Sequence, residues 1–223
     1  MAKSIPEPST AEKRNARVIL RRLRARYPEM STALVYASPW QLLVSTVLSA
    51  QTTDENVNKV VPALFKRFPT SHDLAMANPE EVEALVFSTG FYRQKTKSII
   101  ALSSDLVEFH GGEVPTDFNE LVKLRGVGRK TASVVLAEVW DIPAIAVDTH
   151  VNRVARRLGL THSSDPEVIE RELKGLYLKK DWSGVSMRFI QFGRDVCDAR
   201  KPRCWDCPLR DRCAFEPKAV AAG

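Results

Sequence analysis

No cysteine precedes residue 197, and all four cysteines of the 223-residue chain fall between 197 and 213. That distribution disfavours a scattered disulfide framework and points to a reducing compartment. No run of about 18 apolar residues occurs, and the N-terminus lacks the apolar stretch of an export signal. A soluble protein without an export signal is therefore expected. No stretch alternates apolar and polar residues convincingly with period two, which leaves helices to carry the fold. Internal repeats and low-complexity segments are missing as well. Acids are the minority: 27 Asp and Glu stand against 33 Lys and Arg, a formal net charge of +6. Such a balance suits a polyanionic partner, although many soluble proteins share it. With 44% hydrophobic residues, the chain can bury a core as one large domain or two smaller ones.

What is present is helical spacing. Ala16, Ile19, Leu20, Leu23 and Tyr27 predict a helix over 11–27 that carries seven Lys or Arg and one acid, Glu12. One face packs, and the other is a basic ridge, either solvated or in contact with phosphates. Residues 1–9 read as a loose lead-in and 219–223 as a frayed tail. Ser38-Pro39 supplies a cap and a first-turn proline, and 40–50 is apolar nearly all round, as in a core helix. Gln51 follows it on a rigid base. Asp54 suits the cap of the next helical stripe, Val57 to Phe65, which Pro62 is expected to kink. Asn78, Pro79 and Glu81 combine cap, proline and capping-box acid for a helix over 80–88, stopped by Gly90. Phe91 and Tyr92 then sit at a turn beside Arg93, Lys95 and Lys97. The aromatics alone are adequate as core anchors, but three nearby cations make a nucleic-acid role worth testing. A helix over 99–109 ends at Gly111-Gly112, and Thr116 or Asp117 caps the next. The apolar run 144–147 is a buried connector. Asp148 or Thr149 then caps a helix bearing Arg153, Arg156 and Arg157, and capping alone would account for an aspartate at 148. Asp165-Pro166 opens another helix, and 185–196 forms the last.

The stretch Leu121-Val-Lys-Leu-Arg-Gly-Val-Gly-Arg-Lys-Thr-Ala132 organises the rest. Leu121 and Leu124 belong to a short helix, Gly126-Val127-Gly128 make a turn, and Val134 to Leu136 continue as a second, buried helix. Arg129 and Lys130 stand at its start, where the first amides carry about half a positive charge. A cation there loses roughly 0.3–1 kcal/mol. A local rule broken at a helix start points to function, whereas a Gly-x-Gly turn by itself would be ordinary.

The cysteines follow the spacing Cys197-x6-Cys204-x2-Cys207-x5-Cys213, a strong metal-site signal. Residue types admit zinc or a 4Fe–4S cluster and do not choose between them. Arg200, Lys201 and Arg203 lie in the first loop, which the metal closes and so holds in place for phosphate contact.

The hairpin Leu124 to Ala132, the segment Val147-Asp148-Thr149-His150, Leu48-Ser-Ala-Gln51-Thr and the cysteine spacing together resemble the endonuclease III family of DNA repair glycosylases. The resemblance covers about residues 32–213. It implies an all-α fold of two helical lobes with DNA across the cleft between them. One lobe is a continuous helical barrel, 32–142, holding a helix–hairpin–helix motif at about 118–137. The other joins 1–31 to 143–223 and carries the cluster at 197–213. The metal implied is a 4Fe–4S cluster on Cys197, Cys204, Cys207 and Cys213, with zinc as the alternative.

Carried onto this sequence, the resemblance implies Lys130 as nucleophile and Asp148 as catalytic carboxylate. Gln51 fills the space left by a flipped nucleotide, and Phe91 takes the place of an aliphatic wedge. Gly126, Val127, Gly128, Arg129, His150 and Lys201 complete the expected DNA contacts. Arg125 replaces the family's usual proline, which implies a less rigid hairpin and an added cation near the DNA backbone. The implied enzyme is a bifunctional DNA glycosylase and AP lyase of base excision repair. It removes chiefly oxidised pyrimidines from double-stranded DNA containing damaged bases or abasic sites. It is expected to be a cytoplasmic monomer, nucleoid-associated in a prokaryote, with no membrane partner.

Three other readings compete. A monofunctional adenine or mismatch glycosylase of the related type lacks this lysine and carries an extra C-terminal domain. A non-catalytic DNA-structure binder has no reason to keep both Lys130 and Asp148, and an electron carrier leaves the hairpin unexplained. A lysine nucleophile attacks only as the neutral amine. Bringing an ordinary lysine from near 10.4 to about 7–8 takes roughly 3–4 kcal/mol. A helix terminus offers about 1 kcal/mol, so burial under bound DNA is expected to supply much of the remainder.

Overall fold

Caps written in the sequence set most of the helix starts in the computed structural model, which describes residues 6–29 and 31–220. The lead-in expected over 1–9 and the tail expected over 219–223 lie partly outside those residues. Ser9 and Glu12 form a reciprocal capping box at the start of α1 (Thr10–Arg26). Ser38 caps α2 (Pro39–Leu48), with Pro39 in its first turn. Thr53, rather than the expected Asp54, caps α3 (Asp54–Arg67), which continues through Pro62. A second capping box, Thr70 with Asp73, supports α4 (Ser71–Ala75), a helix too short for its periodicity to be read from sequence. Asn78 caps α5 (Pro79–Val86). The expected capping box is replaced there, because the Glu81 carboxylate pairs with Arg67 at 2.5 Å. That helix stops before residue 88 and tightens into a 3-10 turn, Phe87–Thr89.

α6 (Tyr92–His110) starts at Tyr92 instead of Ile99 and closes on left-handed Gly111. Asp117 caps α7 (Phe118–Lys123), and the hairpin leads from it into α8 (Arg129–Trp140). Asp148 caps α9 (Thr149–Arg157), and Asp165 caps α10 (Pro166–Leu176). α11 (Trp182–Asp195) starts three residues ahead of the expected Val185. No strand occurs among the described residues, so the fold is all-α. None of the described helices is long and apolar enough to cross a membrane.

Two compact units divide the chain. One is Thr32–Ile142, and the other joins Met1–Ser31 to Pro143–Gly223. In the first, α2 is the central helix. Leu42, Leu43, Val44 and Leu48 are fully buried, and α2 packs against α3, α6 and α8. Each such side chain stabilises the fold by about 1.5–3 kcal/mol on burial, which is why this helix tolerates so few polar residues. In the second unit, α11 packs against α1 and α9 around Ile19, Leu23, Val154, Phe189 and Phe192. The connector before Asp148 is non-helical and buried at Ala144, Ile145 and Ala146. The amides of Ala144 and Ala146 donate to Ser183 Oγ (3.2 Å) and Ser186 Oγ (2.9 Å). Four of the seven cations on the α1 ridge brace their own unit: Lys13 pairs with Glu7, Arg22 with Asp211, Arg24 with Asp181 and Arg26 with Asp195.

Candidate functional site

The hairpin turn closes when the Val127 amide donates to the Leu124 carbonyl at 3.1 Å. Gly126 has φ +80°, and a Cβ there would stand 2.8 Å from Ser98 Cβ, so no other residue fits without displacement. Gly128 is different. Its φ of −90° suits any residue, and a Cβ there would meet nothing within 4 Å. Internal packing therefore requires glycine at 126 and leaves it unexplained at 128. Val127 is held inside the turn. Its side chain is buried in the core, and its amide is engaged in the turn.

Arg125 does not loosen the hairpin. Its backbone amide donates to Asp105 Oδ2 at 2.8 Å, a bond that proline could not make. Its guanidinium donates to Asp105 Oδ1 through Nε (2.8 Å) and Nη2 (2.6 Å), and to the Ala101 carbonyl at 3.3 Å. Burial alone would raise the Asp105 carboxyl, but the Arg125 bonds outweigh it and hold it below the usual carboxylate range. The expected extra cation is thus neutralised within its own unit. Arg129 and Lys130 are the first two residues of α8, and both are exposed. The Arg129 guanidinium lies 4.8 Å from the centre of the Phe118 ring. No side chain caps α8. The first amides of a helix lack partners within it and carry partial positive charge, which makes this end receptive to an anion.

Gln51 and Phe91 share an uncommon backbone. Their φ values are +56° and +48°, in the left-handed region that costs a residue with a Cβ about 1–2 kcal/mol. α2 ends at Leu48, short of the expected 50, so Gln51 sits at an exposed turn before α3. Phe91 is the N-cap of α6 and is 68% exposed. A strained backbone under an exposed side chain is a mark of functional sites. Two of the three cations expected beside Phe91 are engaged locally. Lys95 is only 5% exposed, donates to the Thr89 carbonyl at 2.7 Å, and has its ammonium pushed down by burial. Arg93 approaches the Glu83 carboxylate at 3.8 Å.

Asp148 does cap α9. Its Oδ1 accepts from the amides of His150 and Val151, each at 2.8 Å. Its Oδ2 lies 3.2 Å from His150 Nδ1. His150 is therefore placed against Asp148, and it also lines the space beside Gly193, where an added Cβ would stand 3.0 Å from His150 Cβ.

The four cysteines form no disulfide and line one small cavity with Leu158, Phe192 and Val196. Arg157 Nη1 lies 3.3 Å from Cys197 Sγ, and the Leu209 amide lies 3.4 Å from Cys207 Sγ. Arg153 and Arg157 also hold the loop by its carbonyls, Cys197 at 3.0 Å and Asp198 at 2.7 Å. Donors directed at sulfur suit metal-bound thiolates. Burial pushes the Cys207 thiol up to about 11 and raises Cys213, so the metal itself must favour the thiolates. Four cysteines around one cavity, with donors aimed at two of the sulfurs, are a donor set that fits an iron–sulfur cluster. In the same loop Asp198 accepts from the amides of Arg200 and Lys201, both at 2.8 Å, and Arg203 turns onto Asp195 at 2.5 Å. Lys201 is exposed.

Sequence reasoning misses Asp105 and Asn56. The one available signal was an acid between Leu102 and Leu106 on an apolar stripe. A cavity of about 550 Å³, lined by Glu7, Glu12, His162 and Glu172 among others, contains none of the expected site residues.

Residues 44–178 match the HhH-GPD superfamily of base excision DNA repair proteins, and residues 197–213 match the iron–sulfur binding domain of endonuclease III. The chain is 48% identical over 213 residues to endonuclease III of Synechocystis sp., covering 95% of this chain and 96% of the relative. It is similar to the solved structure of a non-covalent endonuclease III–DNA complex, with TM-score 0.86, 42% identity, and coverage of 91% and 95%. A trapped endonuclease III–DNA covalent intermediate with an estranged adenine matches with TM-score 0.86, 43% identity and the same coverage. Identity of this extent, with the hairpin and the cysteine segment both matched, places the chain in the endonuclease III family, DNA-binding glycosylases with AP lyase activity that carry a 4Fe–4S cluster.

Proposed function

We propose that this protein excises oxidised pyrimidines from double-stranded DNA and cleaves the strand 3′ to the resulting abasic site, with Lys130 as nucleophile. The supporting observation is the placement of Lys130, exposed at the second position of an uncapped helix directly after the hairpin. The damaged base is extruded from the duplex. The Lys130 amine forms a bond to the sugar C1′ as the C1′–N bond breaks, and the base leaves with that electron pair and takes up a proton. The sugar ring opens to a Schiff base. Loss of a C2′ proton then breaks the C3′–O bond, and water releases the amine. Asp148 stabilises the positive charge developing on the sugar and passes protons. His150, bound to Asp148 Oδ2, orients that carboxylate rather than reading the DNA itself.

Gly128 and the first turn of α8 cradle a phosphate, while Gly126 and Val127 hold the turn that presents them. Gln51 and Phe91 enter the opened duplex. Lys201 contacts the backbone from the cysteine loop, and Cys197, Cys204, Cys207 and Cys213 would hold the 4Fe–4S cluster. The cluster, when bound, supplies a fixed frame for that loop. The protein acts as a monomer on damaged or abasic duplexes, in the cytoplasm and, in a prokaryote, at the nucleoid. The test is borohydride trapping on an abasic-site duplex. Iron-replete protein is expected to form a covalent adduct that Lys130→Ala abolishes, with turnover down by about 10³-fold or more. An undiminished adduct in that variant would remove Lys130 from the mechanism.

A further inference from the structure

Gln51 and Phe91 lie 40 positions apart in sequence, on separate turns, yet one side chain bridges those turns. Asn56 is in the first turn of α3, where its backbone amide donates to Thr53 Oγ1 at 3.2 Å. Its side-chain Nδ2 donates twice: to Thr52 Oγ1 at 3.0 Å and to the Ser88 carbonyl at 2.8 Å. Thr52 is the neighbour of Gln51, and Ser88 is three residues before Phe91. The next carbonyl along, Thr89, is held from the other side by Lys95 Nζ, and the Lys95 amide donates to the Phe91 carbonyl at 3.1 Å. The turn that carries Phe91 is therefore fixed at two successive carbonyls, one of them by the same amide that fixes the turn carrying Gln51.

We propose that Asn56 is a positioning residue that sets the spacing between the two side chains entering the opened duplex. The proposal rests on the assignment of Gln51 and Phe91 to that role. Both are held in left-handed backbone that tighter or looser turns would not reproduce. A spacing fault should matter most when a paired base has to be extruded, and least when the base is already gone.

The experiment compares Asn56→Ala and Asn56→Asp with wild type on two duplexes, one holding an oxidised pyrimidine and one a preformed abasic site. Asn56→Asp keeps the shape and places an acid at a helix start, where it is favourable, but it cannot donate to either oxygen. Both variants should lose about tenfold in kcat for base excision, with less than a twofold change in strand cleavage at the abasic site. A 2-aminopurine opposite the lesion should brighten on binding wild type and brighten less with either variant. Gln51→Ala and Phe91→Ala serve as references. Equal losses on both duplexes would make Asn56 merely structural and overturn the proposal. Losses in the two references without losses at Asn56 would overturn it alone. If none of the four variants alters excision or fluorescence, the duplex-opening assignment itself fails and takes the proposal with it.

Discussion

The hairpin and the cysteine loop each place three cations within a few residues: Arg125, Arg129 and Lys130 in one, Arg200, Lys201 and Arg203 in the other. As sequence they read alike, as phosphate-binding stretches. In the structure each turns one arginine inward onto an aspartate, Arg125 onto Asp105 and Arg203 onto Asp195. What differs is the remaining support. The hairpin is held by protein packing alone, through Gly126 against Ser98 and the buried Val127. The cysteine loop has only short 3-10 turns and depends on arginines at its carbonyls and on the metal. Cations near a DNA-binding turn are thus of two kinds, those that hold the turn and those it presents.

The comparison breaks most sharply on metal loss. Removal of iron, or Cys207→Ser, should unfold the 197–213 segment and abolish activity, because metal binding here is folding free energy. Limited proteolysis should then cut within 197–213 while the hairpin region stays protected; simultaneous loss of both would show a common support. The two glycines sharpen it next. Gly126→Ala should lower stability by about 1–3 kcal/mol, combining left-handed strain with the Ser98 clash, a shift of several degrees in Tm. Gly128→Ala should cost less than about 0.5 kcal/mol yet weaken DNA binding about tenfold in a titration at low salt.

Asp105→Asn comes next. It should destabilise by about 1–2 kcal/mol, a figure already reduced because the Arg125 side chain is 60% exposed. The Asp105 pKa is lower folded than unfolded. Its contribution is therefore full above about pH 4 and fades as pH falls through the folded value. Chemical denaturation across acid pH should show a smaller decline in the variant than in wild type, the remainder coming from other carboxylates held low, such as Asp195 and Asp211. Smallest of all, Lys201→Ala should weaken binding about two- to threefold and reduce the log–log salt slope by about 1 from a value near −5.

Much of this was legible where the physics is local. Ser38-Pro39, Asn78-Pro79 and Asp165-Pro166 announced their helices, because a cap and its first-turn proline lie within four residues. Asp148 was readable as a cap for the same reason. Distance in sequence hid the rest. Arg125 was visible as a departure, but its partner Asp105 lies 20 residues away, so the charge was assigned to DNA. Lys95 read only as one of three cations beside a turn, because nothing nearby announces its burial, and α6 was expected from Ile99 instead of Tyr92. The identical roles first given to Gly126 and Gly128 separated only when the space around each was known.

α6 carries Phe91 at its N-terminal cap and meets the hairpin through Ser98, Ala101 and Asp105. At 1.5 Å per residue, Phe91 stands about 10 Å along that helix from the level of Ser98. This is about three base steps of a duplex at 3.4 Å each. On the roles proposed for Phe91 and the hairpin, the helix is a ruler with a fixed length and a fixed phase, joining the place where a strand would be prised apart to the place where its backbone would be gripped. Inserting or deleting a single residue between 92 and 98 would shift one end by about 1.5 Å and rotate it by about 100°.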